Sequence, residues 1–298
     1  FRKNIASYKD LPKSFYQIQT KFRDEIRPRF GVMRAREFMM KDAYSFDLNF
    51  TDAKKTYNEF YKIYFKIFKH LGLNAIAVKA NNGAIGGNLS HEFHILAETG
   101  ESVIYYNKKF DQLKDQINED SINELQNLYS ATDETHDAEN CPIDKEDVKS
   151  HRSIEVGHIF HFGDKYSKSM KASVTNNKGK EIYPLMGSYG IGVSRLISAI
   201  IEANNDENGI IWPQEIAPFN INLVNLKPEN EECTKICNDL YQKLKHNNDV
   251  LYDDVIGTIG AKLANADLIG IPKQIIVGPK SIKEGYAEVK NRKTGKKE

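Results

Sequence analysis

Two short stretches of this 298-residue chain hold side chains suited to gripping phosphate and a flat ring. In Phe22-Arg23-Asp24-Glu25, the two-residue repeat of an extended chain puts Arg23 and Glu25 on one face. Beyond a break at Pro28 and Gly31, Arg34, Arg36, Phe38 and Met40 share a face in the same way. If the two segments pair, the faces coincide and offer arginines, a carboxylate and an aromatic ring to one ligand. A planar guanidinium matches phosphate oxygens, a ring face matches a purine, and a carboxylate accepts from an amine. A nucleoside triphosphate uses all three, although a charged, solvated hairpin would carry the same residues. The second stretch is Gly187-Ser188-Tyr189-Gly190-Ile191-Gly192-Val193-Ser194-Arg195. Its glycines allow close backbone approach where a strand enters a helix, and Arg195 projects from the first helical turn. The spacing is not the dinucleotide G-x-G-x-x-G, because the close glycine pair comes last, and no Gly-Lys-Ser/Thr follows to make a P-loop. A tight strand–helix turn with no ligand is the other reading of these glycines.

Positioning such residues takes a long antiparallel hairpin. Ser14 to Thr20 alternates and is rich in aromatics, Phe22 to Arg27 continues extended, and extension resumes at Val32 and runs through Met40. A helix is expected from Thr51, its N-cap, to His70, with Tyr57, Phe60, Tyr61, Tyr64, Phe65 and Phe68 as a core stripe at helical spacing. Residues 107–150 are charged and helix-prone up to Tyr129, then loop-like around Cys141-Pro142, and 151–188 return to short strands. A helix over Gly192–Asn204 shows the apolar face Val193, Leu196, Ile197, Ile200 and Ile201. Trp212-Pro213 to Ala217-Pro218 reads as a linker. After it come a strand (Phe219–Leu226), a helix (Glu229–Lys245), a strand (Val250–Tyr252), a helix (Gly260–Ala266) and a strand (Gln274–Val277), the order of a separate α/β domain.

Composition sets the outer limits. With 42 Lys and Arg against 41 Asp and Glu, the net charge of +1 excludes a protein that coats nucleic acid by bulk charge and leaves room for a local basic patch. No apolar run reaches membrane-spanning length, and Phe1-Arg2-Lys3-Asn4 lacks the apolar stretch of a signal peptide. Three cysteines do not make a disulfide framework, so a reducing, cytoplasmic setting without membrane contact is expected. Cys233 and Cys237, four apart on a helix, are half a metal site or a pair of buried thiols.

The fuller wording resembles a known family. Phe22-Arg23-Asp24-Glu25, with Arg34, Phe38 and Asp42, is similar to motif 2 of class II aminoacyl-tRNA synthetases, and Gly190-x-Gly192-x-x-Arg195 is similar to motif 3. Thr20 to Arg34, leading into Arg36 to Phe46, resembles the bacterial prolyl-tRNA synthetases, as do Ile85-Gly86-Gly87, Ser90-His91-Glu92-Phe93 and Glu155-Val156-Gly157-His158-Ile159-Phe160. The likeness covers essentially the whole chain. It implies an α+β fold: a class II antiparallel sheet flanked by helices over residues 1–214, its N-terminal part missing, followed by a smaller α/β anticodon-binding domain over 215–298, itself incomplete at its C-terminus.

The resemblance also implies roles. Proline would be activated with ATP and Mg²⁺ and passed to tRNA(Pro) by a homodimeric enzyme. Arg23 would hold the α-phosphate and Arg34 the γ-phosphate. Phe38 and Arg195 would sandwich the adenine, with Arg195 also reaching the γ-phosphate, and Glu25 would accept from the adenine amine. Glu155 is the candidate Mg²⁺ ligand, or else a strand carboxylate facing solvent. Met40, His91, Glu92, His158, Phe160 and Ser188 fall in the segments expected to hold proline, where each histidine fits a structural role equally well.

An apolar pocket separates proline from alanine by only about 1–3 kcal/mol per methylene. Some relatives add an editing domain between motifs 2 and 3; the interval from Ser102 to Arg152 is too short for it, so no editing in cis is expected. Asp253-Asp254 leads into Val255-Ile256-Gly257-Thr258-Ile259-Gly260, where relatives carry a basic stretch, which sets anticodon contacts by this loop apart from the family pattern. The tail Lys290, Arg292, Lys293, Lys296 and Lys297 has the charge to touch phosphates, with a solvated terminus as the default reading. Motif 1 and a Thr-x-Glu loop are absent from these residues, so an exposed sheet edge, with poor solubility or weak dimerisation, is expected. The alternative to a ligase is a non-catalytic tRNA-binding paralogue or inactive fragment of the same family.

Overall fold

The structure, a computed structural model, describes residues 1–80, 89–113 and 117–298. Ile85-Gly86-Gly87 lie outside the described residues. The chain divides into two compact units, Phe1–Ala199 and Ile200–Glu298.

In the first unit, β1 (Lys13–Phe22) and β2 (Glu37–Asp47) form the hairpin in antiparallel register, with Phe22 opposite Glu37 and Lys13 opposite Phe46. The strands stop short of the sequence expectation. Residues 31–33 make a 3-10 turn, entered through positive φ at Phe30 (56°) and Gly31 (58°), and Arg29 N–H donates to Arg34 C=O across it at 3.0 Å. The hairpin tip is therefore a folded turn and not extended chain. α1 (Phe50–His70) follows. Its N-cap is Asn49, whose side chain accepts from Asp52 N–H at 3.0 Å, so the cap falls before Thr51: the chain leaves β2 at Asp47 and its last extended residue that can cap is Asn49.

Next come β3 (Ala75–Lys79), β4 (Leu89–Leu96), β5 (Ser102–Asn107), α2 (Phe110–Leu113), α3 (Glu119–Asn127) and β6 (Ser130–Thr132). Then follow β7 (Val148–Gly163), α4 (Lys165–Ser169), β8 (Val174–Thr175), β9 (Glu181–Ile182), β10 (Leu185–Gly192) and α5 (Val193–Ala203). The main sheet runs β1-β2-β10-β7-β4-β3, with β5 on the other half of β7 and β6 beyond it, and every pairing is antiparallel.

One face of this sheet is buried under the aromatic stripe of α1. Tyr57, Tyr61, Tyr64 and Phe68 are fully buried; Phe60 stacks on Tyr189 at 3.7 Å, and Tyr61, Tyr64, Phe65 and Phe68 surround Phe93. Each such ring contributes about 1.5–3 kcal/mol by leaving water, which is why α1 holds the sheet rigid from behind. The opposite face carries a cavity.

The second unit contains β11 (Asn205–Asp206), β12 (Gly209–Ile210), β13 (Ile221–Asn225), α6 (Glu231–Leu244), β14 (Val250–Asp253), α7 (Ile259–Ile269), β15 (Lys273–Val277), α8 (Pro279–Lys283) and β16 (Glu288–Asn291). β14, β13 and β15 are parallel, as a βαβαβ order requires, and β16 adds an antiparallel edge. Cys233 and Cys237 are buried free thiols, and Cys237 sits in the core with Ile221, Leu223 and Val277. The basic tail is a solvated terminus only in part: Lys293, Lys296 and Lys297 are exposed, whereas Arg292 and Lys290 are tied to carboxylates. Arg292 is buried in a two-pronged pair with Asp206 (2.8 and 2.6 Å), Lys290 reaches Asp267 at 2.6 Å, and Lys297 reaches Glu288 at 3.0 Å, because β16 folds back onto β15 and carries these cations to their carboxylates. Among the described residues, no helix is long and apolar enough to cross a membrane.

Candidate active site

The face of the first unit's sheet away from α1 holds a cavity of about 470 Å³. Its floor is β10. Alternation sends Gly187, Tyr189 and Ile191 towards α1 and leaves Ser188, Gly190 and Gly192 facing the cavity, so the floor is free of bulk. A Cβ on Gly190 would stand 3.3 Å from Met40 Cε and 3.5 Å from Asp42 Oδ1, on the cavity side. β2 forms one wall with Phe38, Met40 and Asp42, and β7 the other with Glu155, His158 and Phe160.

Three arginines converge from separate segments. Arg23 leaves the end of β1, and its guanidinium lies 5.0 Å from the centroid of the Phe38 ring. Arg34 follows the 3-10 turn, with Nε 3.0 Å from Glu25 Oε2. Arg195, on the first turn of α5, donates from Nε to Met33 C=O (2.9 Å) and from Nη1 to Glu155 C=O (3.0 Å). Backbone carbonyls thus aim Arg195 without neutralising it. Glu25 is held below the ordinary carboxylate range by its hydrogen bond from Arg34 and by the Arg27 N–H at 2.8 Å, so it is a charged acceptor.

A bulge on β7 shapes the second wall. His94 pairs with Glu155 and Phe93 with Gly157, which leaves Val156 as the extra residue. Without it, Glu155 and His158, three apart, would face opposite sides of the sheet. With it, both line the cavity and His158 Nδ1 is 3.6 Å from Glu155 Oε1. Burial pushes the Glu155 carboxyl up, but the hydrogen bond and charge of His158, with His94 and Arg195, outweigh it and hold the carboxyl below its ordinary value.

Glu92, Glu155 and His158 place one ligand atom each within 4.8 Å of one another. Glu155 fits Mg²⁺: it is an ionised oxygen donor, its Oε2 lies 4.0 Å from Arg195 Nη1, and Mg²⁺ is commonly held by one or two carboxylates together with substrate phosphates. His158 offers nitrogen, which suits that ion less, and its Nε2 is engaged with Ser90 Oγ at 2.8 Å.

Most of the residues singled out in the sequence come together here: Arg23, Glu25, Arg34, Phe38, Met40, Glu155, His158, Phe160, Ser188 and Arg195 all line the one cavity. Glu92 stands behind His158, with Oε1 3.7 Å from its Nδ1 and Oε2 3.0 Å from His94 Nε2. His91 is the exception. It points the other way, into the α1 core, where the Tyr57 hydroxyl lies 2.7 Å from its Nδ1 and burial pushes its pKa down to about 3. The alternation that aims Glu92 at the cavity side forces this on its neighbour.

Lys21 also lines the cavity, 2.6 Å from Asp42, the motif 2 residue to which the sequence assigns no role. Counting by two from Phe38 and Met40 reaches Asp42, so that signal was present. Glu101, 3.0 Å from Arg29 Nε and 3.7 Å from Arg34 Nη1, has no such signal: it lies 72 residues beyond Arg29.

An antiparallel sheet backed by one long helix, with an arginine-rich cavity between the motif 2 hairpin and the motif 3 strand and helix, defines a class II aminoacyl-tRNA synthetase core. The tRNA synthetase class II core domain (G, H, P, S and T) matches residues 1–204, and the anticodon binding domain matches residues 216–298. The chain is 56% identical over 291 residues to proline–tRNA ligase of Wolbachia sp. subsp. Drosophila simulans (strain wRi), covering 98% of this chain and 67% of that protein. It is 55% identical over 296 residues to proline–tRNA ligase of Rickettsia akari (strain Hartford), covering 99% and 69%. The chain belongs to the proline–tRNA ligase family.

Proposed function

We propose that this chain activates proline with ATP and transfers the prolyl group to tRNA(Pro). The observation that carries the reading is the meeting of Arg23, Arg34 and Arg195 around a cavity with an aromatic wall and a floor of Ser188, Gly190 and Gly192. In the first step a proline carboxylate oxygen bonds to the α-phosphorus of ATP while the bond to the bridging oxygen breaks, and pyrophosphate leaves with that electron pair. In the second, the terminal adenosine hydroxyl oxygen of the tRNA bonds to the prolyl carbonyl carbon, the bond from that carbon to the phosphate oxygen breaks, and AMP leaves with that electron pair while the hydroxyl proton passes to phosphate or water. Neither step needs a side-chain nucleophile.

The chain's own groups position and neutralise. In this reading Arg23 holds the α-phosphate, and Arg34 and Arg195 hold the distal phosphates. Phe38 and Arg195 take the adenine between them, and Glu25 accepts from the adenine amine once Arg34 turns to phosphate. Met40, His158, Phe160 and Ser188 border the proline end, with Glu92 fixing His158. Mg²⁺, held by Glu155, would neutralise phosphate charge. We read residues 1–214 as the catalytic core and 215–298 as the anticodon module of a cytoplasmic, homodimeric enzyme.

Proline-dependent ATP–pyrophosphate exchange tests the reading. Exchange that requires proline and disappears in Arg23→Ala supports it. A folded protein that binds tRNA but shows no exchange under any condition would favour the non-catalytic alternative.

A further inference from the structure

We infer that Glu101 is an internal counter-anion that ties the phosphate-binding Arg34 to Arg29 and competes with pyrophosphate for Arg34, an inference that rests on the nucleotide reading above. The 3-10 turn brings the backbones of Arg29 and Arg34 together, with Arg29 N–H 3.0 Å from Arg34 C=O. Their guanidinium groups reach the same carboxylate oxygen, a spacing at which they would repel without an anion between them. Glu101 is that anion, with Oε1 3.0 Å from Arg29 Nε and 3.7 Å from Arg34 Nη1, and its side chain is only 18% exposed. Arg34 is thereby held between two carboxylates, since its Nε also meets Glu25 Oε2 at 3.0 Å.

Glu101 is anchored independently of the hairpin tip. The preceding Gly100 accepts from Arg152 Nε at 2.9 Å and packs so closely on the Ser153 backbone that a Cβ would overlap it. The carboxylate therefore belongs to the rigid β4–β5–β7 part of the sheet, and the Arg29–Arg34 turn docks onto it. Glu101 also lines a second cavity of about 220 Å³ that shares Glu25, Arg34, Glu155 and Arg195 with the larger one.

A polyphosphate brings several negative charges to Arg34 where Glu101 brings one, so it displaces the carboxylate and loosens the turn. When pyrophosphate departs, Glu101 retakes Arg34. Glu101 is a positioning residue: it acts on the nucleotide through Arg34 and Arg29.

Calorimetric titration of magnesium pyrophosphate into the wild-type chain and into Glu101→Gln and Glu101→Ala separates competition from support. Removing the competing charge should tighten binding about two- to fivefold, the scale of a partly exposed ion pair. The KM for pyrophosphate in proline-dependent exchange should fall with it, and Glu101→Asp should stay near wild type. Unchanged or weaker binding by folded E101Q overturns the proposal. So does failure of both neutral variants to fold, because a displaceable counter-anion is not needed for the fold. If the wild type binds neither pyrophosphate nor ATP, it is the nucleotide reading that falls.

Discussion

A side chain that neutralises charge building on phosphorus oxygens acts mainly in the transition state, so its removal lowers rate more than binding. We expect Arg23→Ala to reduce proline-dependent exchange by about 10²–10³-fold while ATP affinity, read by calorimetry, falls far less. His91 belongs to a different ledger of effects. His91→Ala leaves the Tyr57 hydroxyl unpaired in the α1 core and should cost about 2–4 kcal/mol in urea denaturation, with the KM for proline unchanged. A raised KM at full stability would return His91 to the substrate pocket. The arginines were legible because their side-chain chemistry and spacing suffice to name them. His91 was not, because a residue type suited to ligand contact says nothing about which face of the sheet it occupies.

At the scale of elements, the tolerances of β2 and β10 are set by what lies behind them. A Cβ on Gly187 would overlap the Tyr189 hydroxyl and stand 2.8 Å from Ser45 Oγ, the two groups that hydrogen-bond each other at 2.9 Å. Gly187→Ala should therefore destabilise the protein by about 1–3 kcal/mol, measured by chemical denaturation. Lys41 sits on the same buried face. Its ammonium reaches the Tyr64 hydroxyl at 2.8 Å and Tyr189 C=O at 3.0 Å, and burial, opposed by Asp42, pushes its pKa down to about 8. The unfolded chain keeps this proton up to about 10.5, the ordinary lysine value. Between those values the unfolded state binds more protons, so stability at this site rises with pH. Urea midpoints at pH 7.5 and 9.5 should accordingly move in favour of the wild type relative to Lys41→Met, and parallel shifts in the two proteins would refute the assignment. Periodicity announced α1 and the β10–α5 junction, whereas the Val156 bulge left no mark, since a bulge changes pairing and not composition.

Over the whole molecule, the outermost strand of the main sheet is the exposed feature. Among the described residues β1 has a partner on one edge only, and Tyr16, Ile18 and Phe22, sharing one face, are 75%, 59% and 75% exposed. An apolar edge of this length favours association with another chain. Sedimentation velocity should show concentration-dependent self-association, and Ile18→Lys should shift it towards monomer; a concentration-independent monomer in the wild type would exclude this surface as an interface. The chain spans about two thirds of the length of the proline–tRNA ligases it matches. What the sequence by itself determined was local: the motif 2 and motif 3 residues, the aromatic stripe of α1 and the β-α order of the second unit, because side-chain chemistry and a period of two or 3.6 residues are written in neighbouring positions. Only the tertiary structure decided that His91 faces the core, that a bulge turns Glu155 and His158 to one side, that Arg292 is spent on Asp206, and that Glu101 meets Arg29 and Arg34. Each of these depends on pairing register or on contacts between segments far apart in the chain, and nothing in a run of adjacent residues encodes them.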